Sequence, residues 1–493
     1  MKRSAGILMH ISSLPNKFGI GTFGKEAYKF AVFLKLSEQS YWQILPISPI
    51  GIGNSPYSCL SSFAINPYFI DLEFLCEDGI LKRSDFENFD WGKNKNFIDY
   101  EKIKNQKINV LQTAFINFKK TSTLNNEFYS FIEKNKFIKE YSIFMALKNY
   151  FKTPIKNWPA ELKNKSKYTI KKYEEKLKDK IEFFQFTQFI AFRQWTNLKK
   201  YINSLGIKII GDLPFYIGLD SSDVFFHKEN FLLDENYFPR YVSGCPADKF
   251  SPDAQVWNHP LYNWNFMKNN NYKWWMDRIK HSLKLFDLIR LDHFRGFESF
   301  FCIPYNDISS KDGFWEKGPG EDFLNTIKNQ VNPKNIIAEN LGYITKDVEK
   351  LLDLSGFYGM HVLELFSFLD KNSLPHHYKK NSVAYTGTHD NNTLIGWLND
   401  LTKEQIDFLK KYANIKSEKI SNWDLISLVY KSVANLVIIP MQDFLSLDKN
   451  CRMNIPSTKE NNWRWHMNND YNLDFVTSNK IKRIVETFKR QPF

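Results

Sequence analysis

Cysteine is scarce in this chain. Cys59, Cys76, Cys245, Cys302 and Cys451 are odd in number, far apart and without a C-x-x-C pair among 493 residues. That pattern excludes a disulfide framework and a cysteine-rich zinc site, and it fits a reduced compartment. Long apolar runs are missing too, since none approaches the ~18 residues of a membrane-spanning helix. Met1-Lys2-Arg3 has the charge of a signal peptide, but the apolar run Gly6 to Met9 stops at His10, too early for an h-region. The chain therefore reads as soluble and cytoplasmic, with no membrane partner. No basic block and no nucleic-acid motif accompany the formal charge of +13. Its Lys and Asn are spread evenly, so the charge reads as compositional and no nucleic-acid partner is expected. Internal repeats and low-complexity linkers are absent, which argues for one catalytic unit over 1–493.

What the chain does have is core-forming material, 43% hydrophobic and 16% aromatic, enough for a large globular core. Eight short apolar, β-rich runs punctuate it: Gly6–Ile11, Tyr41–Pro46, Ile207–Asp212, Phe286–Asp292, Asn335–Glu339, Gly359–Leu363, Ser382–Thr386 and Asn435–Pro440. Amphipathic helical patterns precede most of them. Tyr28, Ala31, Val32 and Leu36 form one such face, and Ala191, Trp195, Leu198 and Ile202 another, stopped by Gly206. Strands alternating with helices predict βαβ units, and eight of them predict an α/β fold, a (β/α)8 TIM barrel. Two long gaps become insertions. The first, 71–180, carries helical stripes such as Ile108, Leu111, Phe115 and Phe118 and predicts a mostly helical subdomain. The second, 221–269, is rich in Gly, Pro and aromatics and predicts a loop-rich cover for the active site.

The strand ends carry the chemistry. Parallel α/β folds gather catalytic groups at the C-terminal ends of their strands. Here the third run ends Gly211-Asp212-Leu213-Pro214 and the fourth Arg290-Leu291-Asp292-His293. The fifth ends Ala338-Glu339-Asn340-Leu341-Gly342 and the seventh Thr386-Gly387-Thr388-His389-Asp390-Asn391. Arg290 and Asp292 lie two apart, so a strand points both to one face. Clustered carboxylates repel and are costly to desolvate, so four acidic strand ends at one mouth imply catalysis. Two chemistries could use them. A carboxylate pair serves retaining glycoside chemistry, whereas Asp and His could ligate a divalent metal for hydrolysis. The metal reading lacks His-x-His or His-E-x-x-H spacing and must tolerate the Arg290 cation beside its ligand, so no metal or cofactor is expected. Tyr57, Phe250, Trp257, Trp463 and Trp465 sit in polar loops, where aromatic faces suit sugar rings. His10 and His227 read as structural.

These residues, taken together, resemble the 4-α-glucanotransferases (amylomaltases, or disproportionating enzymes), relatives of the α-amylases. The likeness rests on the four strand-end motifs and on Ser12-Ser13-Leu14-Pro15, Asn54-Ser55-Pro56-Tyr57-Ser58 and Asn66-Pro67. Gln442-Asp443, Arg452-Met453-Asn454 and Asn462-Trp463 complete it, in order along nearly the whole chain. The resemblance implies retaining transfer between α-1,4-glucans, with malto-oligosaccharides as donor and acceptor. By motif position it implies Asp292 as nucleophile, Glu339 as acid/base and Asp390 as transition-state stabiliser. Arg290 would orient Asp292, with Asp212, His293 and His389 binding sugar at the cleavage point. Ser55, Tyr57, Gln255, Trp257 and Asn462 would line further sugar subsites. The sequence departs from the family pattern between Gly244 and Gln255, where Lys249 replaces an aromatic and Asp253-Ala254 a Thr-Gly; this bears on acceptor preference and on transfer against hydrolysis. An α-1,4-glucan hydrolase is the nearest alternative, a metal-dependent barrel hydrolase the alternative of another class.

Overall fold

A computed structural model describes residues 2–121, 123–246, 254–306, 312–366, 373–458, 460–468 and 473–492. Among these residues eight parallel strands form the central sheet: Ser4–Leu8, Tyr41–Gln43, Lys208–Leu213, Leu288–Leu291, Ile336–Ala338, Gly359–Val362, Ser382–Tyr385 and Leu436–Pro440. Counted as barrel strands one to eight, they lie in the order 6-7-8-1-2-3-4-5. The fifth and sixth close the ring through a parallel bridge between Ile337 and Tyr358. There the Ala338 amide donates to the Tyr358 carbonyl at 2.7 Å, and the Tyr358 amide to the Ile336 carbonyl at 3.1 Å. The result is the (β/α)8 barrel that the eight runs predict. Strands buried on both faces favour apolar side chains, as in the fully buried Leu436–Pro440, LVIIP. The first strand is displaced from its expected bounds, because Ile11–Ser13 turns into a 3-10 helix.

The helix Lys25–Leu36 forms as its periodicity suggests, but the face it buries is Ala27, Phe30, Ala31 and Leu34. Val32 and Leu36 are exposed. Apolar residues run most of the way round this helix, so composition alone offers two competing stripes. From Leu72 to Ser204 the described regular elements are all helical, the longest being Tyr100–Thr121, Lys136–Phe151 and Lys178–Ser204. Their core is aromatic, with Phe118 4.9 Å from Phe186 and 5.4 Å from Phe128 between ring centroids. The last helix runs straight into the third strand and buries Ala191, Trp195, Leu198 and Ile202. Gly206 ends it at φ +82°.

The stretch 221–269 holds strands as well as loop. Tyr241–Cys245 pairs antiparallel with Gln255–Pro260. Ser299–Pro304 and Phe314–Lys317, which follow the fourth barrel strand, complete a four-stranded antiparallel sheet. Lys249 and Phe250 lie outside the described residues. No helix among the described residues is long and apolar enough to cross a membrane.

Candidate active site

Strand register sets the site. Asp212 is directly opposite Arg290, and Leu291 opposite Ala338, so the next residues, Asp292 and Glu339, emerge at one level on neighbouring strands. The Asp292 amide donates to the Leu213 carbonyl at 3.1 Å and the Glu339 amide to the Leu291 carbonyl at 2.9 Å. This carries the ladder one residue past the strand ends and fixes where both carboxyls start.

Arg290 lies at the centre. Its Nη1 donates to Asp212 Oδ1 at 3.0 Å, to Asp212 Oδ2 at 2.9 Å and to Asp292 Oδ1 at 3.1 Å. Arg290 and Asp212 are buried, whereas 23% of the Asp292 side chain remains open to the mouth. Burial disfavours the guanidinium charge, but the flanking carboxylates outweigh it and keep Arg290 protonated well above its usual range. Two negative neighbours around one cation make a pair that is costly to break from either side. The other oxygen of Asp292, Oδ2, accepts from the Phe215 amide at 3.3 Å.

Glu339 is held by two backbone donors, the His293 amide at 2.8 Å and the Leu341 amide at 3.0 Å. Burial pushes its carboxyl up to about 8; Arg290 and the amides pull the other way, and Asp292 adds to the rise. His293 itself sits at φ +45°, in the left-handed region where a non-glycine residue is strained. The strained turn places its ring 5.0 Å from Trp257, edge to face. Burial lowers the imidazole to about 4, against the pull of Asp292. Its buried Nε2 lacks a hydrogen-bond partner among the described residues. A buried ring nitrogen left unpaired is an unspent hydrogen-bonding position.

Asp390 is built on the opposite rim. His389 Nε2 lies 3.2 Å from its Oδ2, and Asn454 Nδ2 donates to its Oδ1 at 2.6 Å. Burial alone would raise this carboxyl, but His389 and Asn454 outweigh it and hold it at about 2. Arg452 Nη2 donates to the Asp390 carbonyl at 2.6 Å while its Nε donates to the Asn454 carbonyl at 2.7 Å. Tyr57 joins the two rims. Its hydroxyl donates to Asp212 Oδ2 at 2.7 Å, and its ring stacks on His389 at 4.9 Å and 16°.

Asp212, Arg290, Asp292, His293, Glu339, Tyr57, His389 and Asp390 are thus one connected set, with Trp257 against His293. Ser55 is one shell back, its Oγ accepting from the Tyr57 amide at 3.2 Å. Gln255 Oε1 accepts from Trp257 Nε1 at 3.1 Å. Asn462 is spent on its own loop: its Oδ1 accepts from the Ile455 amide, and its Nδ2 donates to the Thr458 carbonyl and hydroxyl. His227 pairs with Glu140 at 2.9 Å and His10 packs edge-on to Phe69. Among the described residues no group of three or more His, Cys, Asp or Glu is arranged to hold a metal ion. The clamp by Arg452 and Asn454 escapes sequence reasoning. Only their place in an ordered motif singles them out, because Asn454 lies 64 residues from Asp390 along the chain.

The family whose sequence profile matches residues 9–472 is described as 4-alpha-glucanotransferase. The chain belongs to the 4-alpha-glucanotransferase family. The 4-alpha-glucanotransferase of Clostridium butyricum is 44% identical over 489 residues, 98% of this chain and 100% of the relative. That of Aquifex aeolicus is 40% identical over 498 residues, 99% of this chain and 100% of the relative. Among solved structures, the amylomaltase from Streptococcus agalactiae in complex with acarbose superposes with a TM-score of 0.97. It is 36% identical, covering 99% of this chain and all of that one. The 4-alpha-glucanotransferase reaction moves glucan segments from one α-1,4-glucan to another, and this chain is an enzyme of that kind.

Proposed function

We propose that the transfer proceeds with retention through a covalent glycosyl-enzyme, with malto-oligosaccharides as both donor and acceptor. The carboxylate of Asp292 attacks C1 of the donor sugar while the bond from C1 to the leaving O4 breaks. Glu339 gives its proton to that oxygen. The acceptor then enters, its 4-hydroxyl attacks C1 of the glycosyl ester, Glu339 takes the hydroxyl proton and Asp292 is released. Asp390, ionised and fixed, stabilises the cationic character at C1 and holds sugar hydroxyls. Arg290 orients Asp292; Asp212, His293 and His389 bind the sugar at the cleavage point, and Tyr57, Ser55, Gln255, Trp257 and Asn462 shape the walls.

The observation that carries this reading is the pairing of Asp292, 3.1 Å from Arg290, with a Glu339 held by two backbone amides in a buried setting that pushes its carboxyl up. Two carboxyls in contrasting environments divide the nucleophile and acid roles between them. Their places on adjacent strands, about 4.8 Å apart by ordinary sheet spacing, suit the roughly 5–5.5 Å between carboxyls that retaining chemistry uses. The sheet bearing Trp257 would exclude water so that a positioned sugar hydroxyl wins over solvent. The cytoplasm is the compartment that scattered cysteines suggest.

Maltotriose tests the reaction. Glucose with a ladder of longer maltodextrins is the expected product set; glucose and maltose without elongation would instead indicate a hydrolase. Asp292→Asn and Glu339→Gln should each lower turnover by at least roughly a thousandfold, with circular dichroism and maltodextrin binding retained. Activity surviving in either variant would sink that residue's role.

A further inference from the structure

Tyr343 is a large aromatic side chain left 56% exposed, four residues past Glu339 on the loop whose Leu341 amide holds the Glu339 carboxyl. Scattered exposed aromatics are ordinary, but this one is built into place. Gly342, at φ +81°, turns the chain immediately before it. Arg295 Nη1 donates to the Tyr343 carbonyl at 2.8 Å. The same guanidinium lies over two rings, 3.8 Å from the centroid of Trp315 and 5.1 Å from that of Tyr343. The rings themselves are close to parallel, 23° apart with centroids at 6.3 Å. Trp315 is fixed in turn by Phe301, its cross-strand partner, at 5.1 Å. Arg295 is buried and also reaches Ser299 Oγ at 3.3 Å.

A cation–π stack of this kind immobilises the tyrosine ring at little further entropic cost on binding. The flat face so presented matches the C–H face of a glucopyranose, and the loop that carries it comes directly from the proposed acid/base. We propose that Tyr343, backed by Arg295 and Trp315, is a stacking platform for a glucosyl unit of the bound glucan, beyond the two units that flank the cleaved bond. The inference rests on the glucan reading of the neighbouring site. The platform makes chain length the quantity it controls: a short glucan cannot reach from the cleavage point to the ring, and a longer one can.

The test compares kcat/KM for maltoheptaose and maltotriose in wild type, Tyr343→Ala and Tyr343→Trp. In wild type the longer glucan should be favoured. In Tyr343→Ala the ratio of the two values should fall by about three- to tenfold, mainly through KM for maltoheptaose, and Tyr343→Trp should restore it. A ratio that does not change in Tyr343→Ala, with the wild type active, overturns the platform alone. A wild type inert toward both glucans overturns the glucan reading and the platform with it. The ring is solvent-facing, so the alanine variant is expected to keep the wild-type melting temperature, which thermal unfolding checks.

Discussion

Burial lifts the Glu339 carboxyl to about 8, whereas His389 and Asn454 hold the Asp390 carboxyl at about 2. The two therefore carry opposite protonation states across the neutral range. A general acid must hold its proton before the leaving oxygen departs, so the sign is fixed: Glu339 is competent below about pH 8 and loses its proton above it. The rate with maltotriose should fall about tenfold per pH unit on the alkaline side of that point, and a rate unaltered to pH 10 would remove Glu339 from the acid role. Asp390 supports a second expectation. Asn454→Ala removes the 2.6 Å amide bond to its charged form, so its carboxyl titrates at higher pH and is less firmly placed. A hydrogen bond to a charged group contributes about 1.5–3 kcal/mol, or roughly 10–100-fold in rate. We expect that loss in kcat, with a smaller change in KM, and a rise in the pH below which activity disappears; an unchanged acid limb would count against the clamp. Asp292 and Glu339 were legible in the sequence because each ends an apolar run, and Asp390 because it follows one in Thr386-Gly387-Thr388-His389-Asp390. Asn454 was not, since nothing along the chain reports which loop folds back over the seventh strand.

The same logic separates elements that sequence periodicity resolves from those it does not. Most barrel strands stand out as compact apolar runs such as LVIIP. The first, sixth and seventh are weaker signals, the sixth, Gly359–Val362, carrying a histidine and burying only alternate residues, yet all eight runs fall on strands. Tyr241–Cys245 and Gln255–Pro260 contain Gly, Ser, Asn and His; they pair with each other, and Tyr241–Cys245 also pairs with Ser299–Pro304, beyond the fourth barrel strand. Their local composition spells loop, and it is pairing, with each other and with the strand Ser299–Pro304, that makes them sheet. Gly211 shows how tightly a barrel strand is fitted to its neighbours. A Cβ there would come within 2.1 Å of the Phe286 ring, and that ring is buried and braced by Trp195 at 5.7 Å. The ring cannot swing aside without disturbing the helix Lys178–Ser204. Gly211→Ala should therefore destabilise the fold by about 1–3 kcal/mol, read as a lower midpoint in urea with an unchanged slope. A midpoint equal to the wild type would mean that Phe286 can repack.

At the scale of the whole molecule, the barrel's opposite end is fastened by arginines that bond to carbonyl groups. Arg490 is fully buried. Its Nε donates to the Tyr430 carbonyl at 3.0 Å, its Nη2 to Ser432 at 2.9 Å, and its Nη1 to Ala434 at 3.0 Å, Ser4 at 3.2 Å and Asn435 at 3.4 Å. Arg3 complements it, donating to the carbonyls of Phe488, Ser432 and Tyr430 at 2.9, 2.9 and 3.0 Å. The tail that follows the helix Phe475–Thr487 is thereby tied to the first strand and to the segment entering the eighth. The Tyr430 and Ser432 carbonyls lie where helix Asn422–Lys431 ends, a place that leaves acceptors without intrahelical partners. Removing the guanidinium would take the Arg490 donor from the Ala434 carbonyl and one of two donors from the Tyr430, Ser432 and Asn435 carbonyls, which Arg3 or the Ser4 amide also holds. An unsatisfied buried carbonyl costs about 1–3 kcal/mol before relaxation. Arg490→Met keeps an apolar stem of similar bulk but none of the donors, so it removes this bonding with little loss of stem packing. We expect a loss of about 1–3 kcal/mol in unfolding free energy. Because the catalytic mouth is at the other end of the strands, kcat for the folded fraction should remain at the wild-type value. A variant that unfolds at the wild-type urea concentration would show that water or Arg3 satisfies those carbonyls. A variant of normal stability and lowered kcat would instead mean that the tail communicates with the mouth.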